Sequence, residues 1–292
     1  MLLYLIVGRT ASGKSNFANL LANNALKRVI TTTTRPKRAN ETDHDYHFVS
    51  DEQAKNAESK LAPTIINNHQ YYIDRQDLRD KDFAIVDPDG VISLAKALPD
   101  SIFHIIYLNC DTATRKKLFI KRAVANGSSK QDAENEFEQR DSAENKRFTE
   151  FERVLNAQNA KSPYDITDSP YTLPKNIYAI IQYNFDYNKP LNMLEKANNL
   201  VTDKTIRTRL ANLVRKAPQL GLIQVDANGY LIARTHKQGE KTQHQRKMTP
   251  ELYAEHLLDN VSSFSIFMTQ MLAHDNDLDQ IYPSHSANLK ED

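Results

Sequence analysis

Hydrophobic positions follow two alternating rhythms along the first two thirds of the chain. Residues 2–7 (LLYLIV) are a continuous apolar run, the pattern of a strand buried on both faces of a parallel sheet. Over 15–26 the apolar residues Phe17, Leu20, Leu21 and Leu26 return at close to helical spacing. Further apolar runs at 83–86, 103–108 and 178–181 are each followed by polar, helix-compatible stretches at 91–98, 111–125 and 190–201. Strand-then-helix repetition of this kind predicts an α/β fold, a parallel sheet flanked by helices with right-handed crossovers. Two long inserts interrupt it, 35–80 and 122–176, both rich in charge and tyrosine. Inserts of that length in a compact α/β domain are usually lids or substrate loops.

Around residue 203 the pattern changes. Segment 203–250 carries ten Lys/Arg against three Asp/Glu, and 251–292 carries one Lys against eight Asp/Glu. These blocks neutralise each other or are solvated faces, or else the basic one contacts a phosphate-bearing partner. Within this region 222–233 (LIQVDANGYLIA) predicts a β-hairpin with Asn-Gly in the turn. Residues 250–273 predict one amphipathic helix with Thr249 as its N-cap. Leu257, Leu258, Val261, Phe264, Phe267, Met268 and Met271 would form one face of it, packed onto the rest of the chain or used for dimerisation or docking. The last fifteen or so residues read as a disordered tail. The expected organisation is therefore a domain at 1–202 and a small α+β extension at 203–292.

Composition bounds the class. The 292 residues hold 38 Lys+Arg against 37 Asp+Glu, a formal net charge of +1, which argues against a generic nucleic-acid coat or a basic membrane-surface protein. With 40% hydrophobic and 26% charged residues, a mostly disordered chain is excluded. Mean hydropathy is −0.62, and no apolar run approaches the roughly 18 residues that span a bilayer. The single cysteine, Cys110, cannot form an internal disulfide, so a reducing cytoplasm is the expected setting. The start MLLYLIVGRT lacks a charged leading region and reads as a strand, not a signal peptide.

Glycine is scarce, with seven in the chain, so each is expected where backbone geometry demands it. Two of them frame Gly8-Arg9-Thr10-Ala11-Ser12-Gly13-Lys14-Ser15, which matches G-x-x-x-x-G-K-[ST] between a buried strand and a helix. The glycines let successive N–H groups point at phosphate oxygens, and the following helix offers its N-terminus to the same anion. Lys14 would reach the β- and γ-phosphates and the Ser15 hydroxyl would ligate Mg²⁺. ATP and Mg²⁺ are the expected cofactors, and a P-loop NTPase is the expected fold. Beyond it, Arg35 and Arg38 lie three apart with Tyr46 eight residues on. Arginine forks suit a phosphate dianion and a tyrosine hydroxyl adds a neutral hydrogen bond. A second phosphate site is what transfer to a phosphorylated acceptor requires.

At these residues the chain resembles the guanylate kinase family. Thr33-Thr34-Arg35, Arg38, Glu41, Asp45-Tyr46 and Phe48-Val49 resemble its acceptor-binding hallmark. Asn68-His-Gln-Tyr71-Tyr72 is similar to G-N-Y-Y-G, and 85–91 (IVDPDGV) to D-x-D-x-Q-G-V with one residue missing. The resemblance runs over 2–202, closest over 2–50. It implies acceptor contacts from Thr34, Arg35, Arg38, Tyr46 and Tyr72, with Asp87 and Asp89 near acceptor and metal. It also implies that 35–80 clamps the acceptor and 122–150 is a lid. Departures are plain: Ile73 and Asp74 replace the family's glycine and serine, and the acid that reads guanine is replaced around 63–64. In the lid, Arg122 is kept while the second arginine gives way to Asn126-Gly127. Arg140 would compensate, with Arg115, Arg147 and Arg153 as weaker candidates.

The resemblance implies a nucleoside monophosphate kinase, with Lys14, Arg35, Arg122 and Arg140 stabilising the transferred phosphoryl group. GMP or dGMP is the first acceptor to consider and another (deoxy)nucleotide base stays open. A binding module without activity and a P-loop tRNA prenyltransferase are the other readings, the latter because 10–15 (TASGKS) is identical to part of that family's loop. The expected partner is the monophosphate substrate, with no membrane or nucleic acid, and a homodimer through the extension stays open.

Overall fold

The run LLYLIV forms β1 (Leu2–Val7), buried at every position. A glycine-framed loop leads from it into α1 (Lys14–Asn23), whose N-cap, Gly13, lies in the left-handed region at φ 91°. There follow β2 (Thr31–Thr33), β3 (Tyr46–Phe48), α2 (Asp51–Lys55), β4 (Lys60–Ile66) and β5 (His69–Asp74). Next come β6 (Phe83–Ile85), α3 (Pro88–Ala97), β7 (Ile102–Asn109), α4 (Thr112–Ala125), α5 (Lys130–Asn159), β8 (Ile177–Asn184) and α6 (Pro190–Lys216). The last elements are β9 (Leu231–His236), β10 (Gln243–Met248), α7 (Pro250–Leu258) and α8 (Val261–His274). This computed structural model describes residues 1–24, 26–38, 41–66, 68–159, 169–184, 190–236, 243–259 and 261–274. The chain divides into two compact units, Met1–Asn198 and Asn199–Asp292.

In the first unit β6, β1, β7 and β8 pair in that order, all parallel, as the uninterrupted apolar runs require. Helices flank this sheet. From β1 the chain passes to β6 on one side and later to β7 on the other. The strand order therefore reverses between β1 and β7, and a crevice opens beyond their carboxyl ends. The loop after β1 sits there. One apolar cluster holds the layers together: Leu3, Leu5 and Val7 of β1, Phe103 and Ile105 of β7, Val91 and Leu94 of α3, and Phe148, Phe151 and Leu155 of α5. Side chains set the helix starts. Asp87 accepts from Gly90 N at 2.8 Å and Asp111 from Thr114 N at 2.8 Å, capping α3 and α4.

The 35–80 insert contributes most of a second four-stranded sheet, in the order β3-β2-β5-β4. Its register aligns Thr31 with Tyr46, and Thr33 with both Phe48 and Tyr71. Side chains alternate along each strand, so Thr31, Tyr46, Phe48 and Tyr71 share one face while Tyr72 lies on the other.

In the second unit the predicted hairpin pairs differently. Asp226 takes Asn228 N and Tyr230 N, each at 2.9 Å, and Gly229 adopts φ 81°, so the tight turn forms. Only a single bridge, Val225 to Leu231, joins its two arms, and β9 takes β10 as its antiparallel partner instead. The single helix expected over 250–273 is two, α7 and α8. The first of them ends at the cap residue Asp259, whose short polar side chain competes with helical backbone hydrogen bonds. Thr249 does cap α7, accepting from Leu252 N at 3.3 Å. The apolar face, expected to pack onto the rest of the chain or to serve dimerisation or docking, contributes to packing within its own unit: Leu257, Phe267 and Met271 are buried against Leu210, Ala211 and Val214 of α6 and Leu231 of β9. The last fifteen or so residues, expected as a tail, lie outside the described residues. Among the described residues no helix is long and apolar enough to cross a membrane.

Candidate functional site

The loop from Gly8 to Ser15 turns back sharply at the mouth of β1. Ala11 and Gly13 hold positive φ angles of 61° and 91°, and Ser12 N donates to Arg9 O at 3.1 Å. A Cβ on Gly8 would lie 2.5 Å from Ser12 Oγ and 2.8 Å from the Leu108 carbonyl of β7, so no side chain fits there. The Ser12 hydroxyl is buried without a hydrogen-bond partner among the described residues. Lys14 folds back and donates to Gly8 O at 2.6 Å and Arg9 O at 2.8 Å. Burial pushes its ammonium down to about 8.

α5 lies against this loop through one stripe of its surface. Phe137, Asp141, Glu144, Phe148 and Glu152 recur at intervals of three or four residues and so share a face. Glu144 accepts from Thr10 N at 2.8 Å and Thr10 Oγ1 at 3.0 Å. Glu152 pairs with Arg9 at 2.8 Å and accepts the Tyr107 hydroxyl of β7. Arg115 of α4, almost wholly buried, reaches Asp141 at 2.7 Å and the Thr10 carbonyl at 3.3 Å. Arg9, Thr10 and Arg115 thus hold the loop to the helices, a supporting role that the sequence motif did not reveal.

A cavity of about 810 Å³ opens in front of the loop, walled by α4, α5, the start of α3 and the second sheet. Lys14, Arg28, Arg35, Arg38, Arg122, Arg140 and Arg147 all line it, against two carboxylates, Asp87 and Glu144. Arg122 and Arg140 flank the Phe119 ring at 5.4 and 5.5 Å. Burial lowers the Arg122 pKa, and the positive charges of Arg38 and Arg140 lower it further. Cations crowded in this way are the arrangement that an anion relieves.

The predicted residues distribute as follows. Loop residues Gly8, Thr10, Ala11, Ser12, Gly13, Lys14 and Ser15 border the cavity, with Ser15 exposed at the start of α1. Arg35 stacks over Tyr46 at 5.4 Å, and its charge is met by Glu41 at 2.8 Å. Arg38 is half exposed, 3.6 Å from Glu41. Thr34 is spent on the sheet, its hydroxyl accepting from Gln70 N at 3.1 Å. Tyr72 borders the cavity from the far face of β5, with Lys60 over its ring. The tyrosine that joins Tyr46 and Arg35 is Tyr71, its ring 6.0 Å from that of Tyr46. Strand alternation, which a motif match does not weigh, is the reason.

Asp87 and Asp89 are both tied to Arg147 at 3.1 Å, and Asp89 also accepts the Tyr171 hydroxyl at 3.0 Å. The Asp87 oxygen that meets Arg147 also accepts from the Thr64 hydroxyl at 3.2 Å. Arg153 pairs with Glu150 at 2.8 Å and is not among the cavity residues. Arg28, which no motif flags, is.

No family model matches the chain, and no curated protein matches it either. Among solved structures, it is similar to a guanylate kinase from Anaplasma phagocytophilum, with 13% identity over 71% of this chain and 85% of that one and a TM-score of 0.37. It is also similar to an uncharacterized protein from Eubacterium ventriosum ATCC 27560, with 14% identity over 67% of this chain and 97% of that one and a TM-score of 0.28. At these TM-scores neither likeness bears on fold or reaction, which rest on the chain's own residues.

Proposed function

We propose that this cavity holds ATP on the 8–15 loop and a nucleoside 5′-monophosphate against the second sheet, and transfers the γ-phosphoryl group between them. The observation that carries this reading is the convergence of seven cationic side chains and a glycine-framed loop on one cavity. Arg35, Arg38, Arg140 and Arg147 are partly met by Glu41, Glu136, Asp87 and Asp89, and two phosphorylated substrates would supply further negative charge, above all to Lys14, Arg28 and Arg122. The attacking group is already an anionic phosphate oxygen, so no strong general base is needed. Positioning and charge neutralisation suffice. Lys14, released from the Gly8 and Arg9 carbonyls, meets the donor phosphates. Arg122 and Arg140 meet charge on the transferred group, and Arg35, Arg38 and Tyr46 hold the acceptor.

The exposed Ser15 hydroxyl fits Mg²⁺, which would be held largely by the phosphates, since Asp87 and Asp89 already share Arg147. The ion would neutralise phosphate charge. The 122–150 segment acts as the lid that excludes water. GMP or dGMP is the first acceptor to test. A second reading of the base rests on Pro63-Thr64, which stand where the family has the acid that reads guanine; the Thr64 hydroxyl donates to Asp87, and the missing acid favours another base.

A coupled ADP-release assay with Mg·ATP and a panel of ribo- and deoxyribonucleoside monophosphates tests this. Turnover with one acceptor is expected, abolished by Lys14→Ala with the fold intact and weakened toward the acceptor by Arg38→Ala. Full activity in both variants, or silence across the panel, would overturn the reading.

A further inference from the structure

We propose that Arg28 is an acceptor-binding residue, donating with the Tyr46 hydroxyl to the phosphate of the monophosphate substrate. This rests on the kinase reading above and adds to it a residue outside every motif. The backbone fixes Arg28 firmly. Residue 28 bridges to Phe83 at the edge of the parallel sheet, and Val29 N donates to Phe83 O at 2.8 Å. From there its side chain reaches the cavity lining beside Tyr46. Its only hydrogen bond among the described residues is a long one, NH2 to the Asp45 carbonyl at 3.4 Å. Its Nε is buried with no partner, and no carboxylate pairs with it among the described residues.

The contrast with Arg35 gives the assignment its direction. Arg35 is neutralised by Glu41 and also donates to Pro36 O at 2.7 Å, so most of its fork is engaged within its own loop. The charges of Arg28 and Arg35 both act on the Tyr46 hydroxyl; Arg35 is ion-paired with Glu41, whereas Arg28 feels the Asp45 charge without forming an ion pair among the described residues. A buried guanidinium with a free donor, next to a phenol facing the same space, matches the oxygens of a phosphate dianion. Burying that charge costs stability in the free protein, and an incoming phosphate recovers it. The lid arginines are anchored differently: Arg122 and Arg140 lie over the Phe119 ring of α4, whereas Arg28 extends from the Phe83 edge beside Asp45 and Tyr46. Arg28 is therefore assigned to acceptor binding and not to the transferred group.

The test is equilibrium binding by the full-length chain, compared for wild type, Arg28→Met and Arg28→Lys. The probes are the monophosphate that turns over best, its parent nucleoside, inorganic phosphate and ATP. Arg28→Met should weaken monophosphate binding by about tenfold or more, as expected for loss of a charge-assisted hydrogen bond to a phosphate. Nucleoside and ATP binding should be unchanged, and Arg28→Lys should restore part of the loss. Weakening of inorganic phosphate alongside the monophosphate supports the assignment to phosphate. Wild-type monophosphate affinity in Arg28→Met overturns the Arg28 proposal and leaves the kinase reading standing. Equal loss of nucleoside and monophosphate also overturns it, because the residue would then serve the base or the fold. Failure of the wild-type chain to bind any monophosphate would sink the kinase reading and this proposal together. A thermal melt of each variant separates lost binding from lost folding, and Arg28→Lys carries the comparison if Arg28→Met does not fold.

Discussion

At Gly8 and Lys14 the loop's chemistry reduces to atomic clearances and one proton. Gly8 has no room for a Cβ, because the Leu108 carbonyl 2.8 Å away belongs to a paired strand and cannot yield. Gly8→Ala should therefore shift the loop, lower stability by about 1–3 kcal/mol and weaken ATP binding, as read by denaturant unfolding and nucleotide titration. Lys14 makes a pH prediction. Its ammonium is pushed down by burial to about 8, below its ordinary 10.5. Between those values the unfolded chain holds a proton that the folded chain has lost, so this group makes the free protein more stable as pH rises. Bound phosphate favours the ammonium. ATP affinity should therefore fall as pH climbs through 8, with proton uptake on binding, measurable by calorimetry in buffers of different ionisation heat. A flat affinity across that range would refute the role of Lys14. The loop residues were legible because spacing alone defines them. Arg28 was not, since a lone arginine ahead of a threonine strand carries no pattern.

α5 shows what periodicity conveys and what it conceals. Its polar character was visible along the chain, yet the stripe of Asp141, Glu144 and Glu152 acquires meaning only where Thr10, Arg9 and Tyr107 lie opposite. Glu152 receives both the Arg9 guanidinium, mostly buried, and the buried Tyr107 hydroxyl. Glu152→Ala would leave both donors unmet and should cost about 1–3 kcal/mol in a denaturation experiment, with Glu152→Gln milder. If Glu152→Ala unfolds at the wild-type denaturant midpoint, α5 is not clamped to the loop in this way. The strands teach a similar lesson. Two adjacent tyrosines satisfy the same motif, and the register of β5 against β2 selects Tyr71 for the face with Tyr46. In the second unit the Asp-Ala-Asn-Gly turn was legible locally, whereas the preference of β9 for β10 over 222–225 is a long-range choice.

For the molecule as a whole, a near-zero net charge hides a strongly uneven distribution. The formal charge is +1, while the cavity lining alone holds seven cations and two carboxylates. Nucleotide binding should weaken as ionic strength rises, and more so for ATP than for an uncharged nucleoside, because added salt screens the attraction to phosphate. Equal salt response for the two would mean that the lining cations do not act on the ligand. By itself the sequence determined the buried parallel strands, the helices between them and the glycine-lysine loop, since each depends on neighbours within a few residues. The tertiary structure alone decided which arginines converge on one cavity, which tyrosine faces them and which carboxylates hold the loop. Those facts depend on side chains that meet across more than a hundred residues, as Arg9 meets Glu152, and no local pattern encodes that distance.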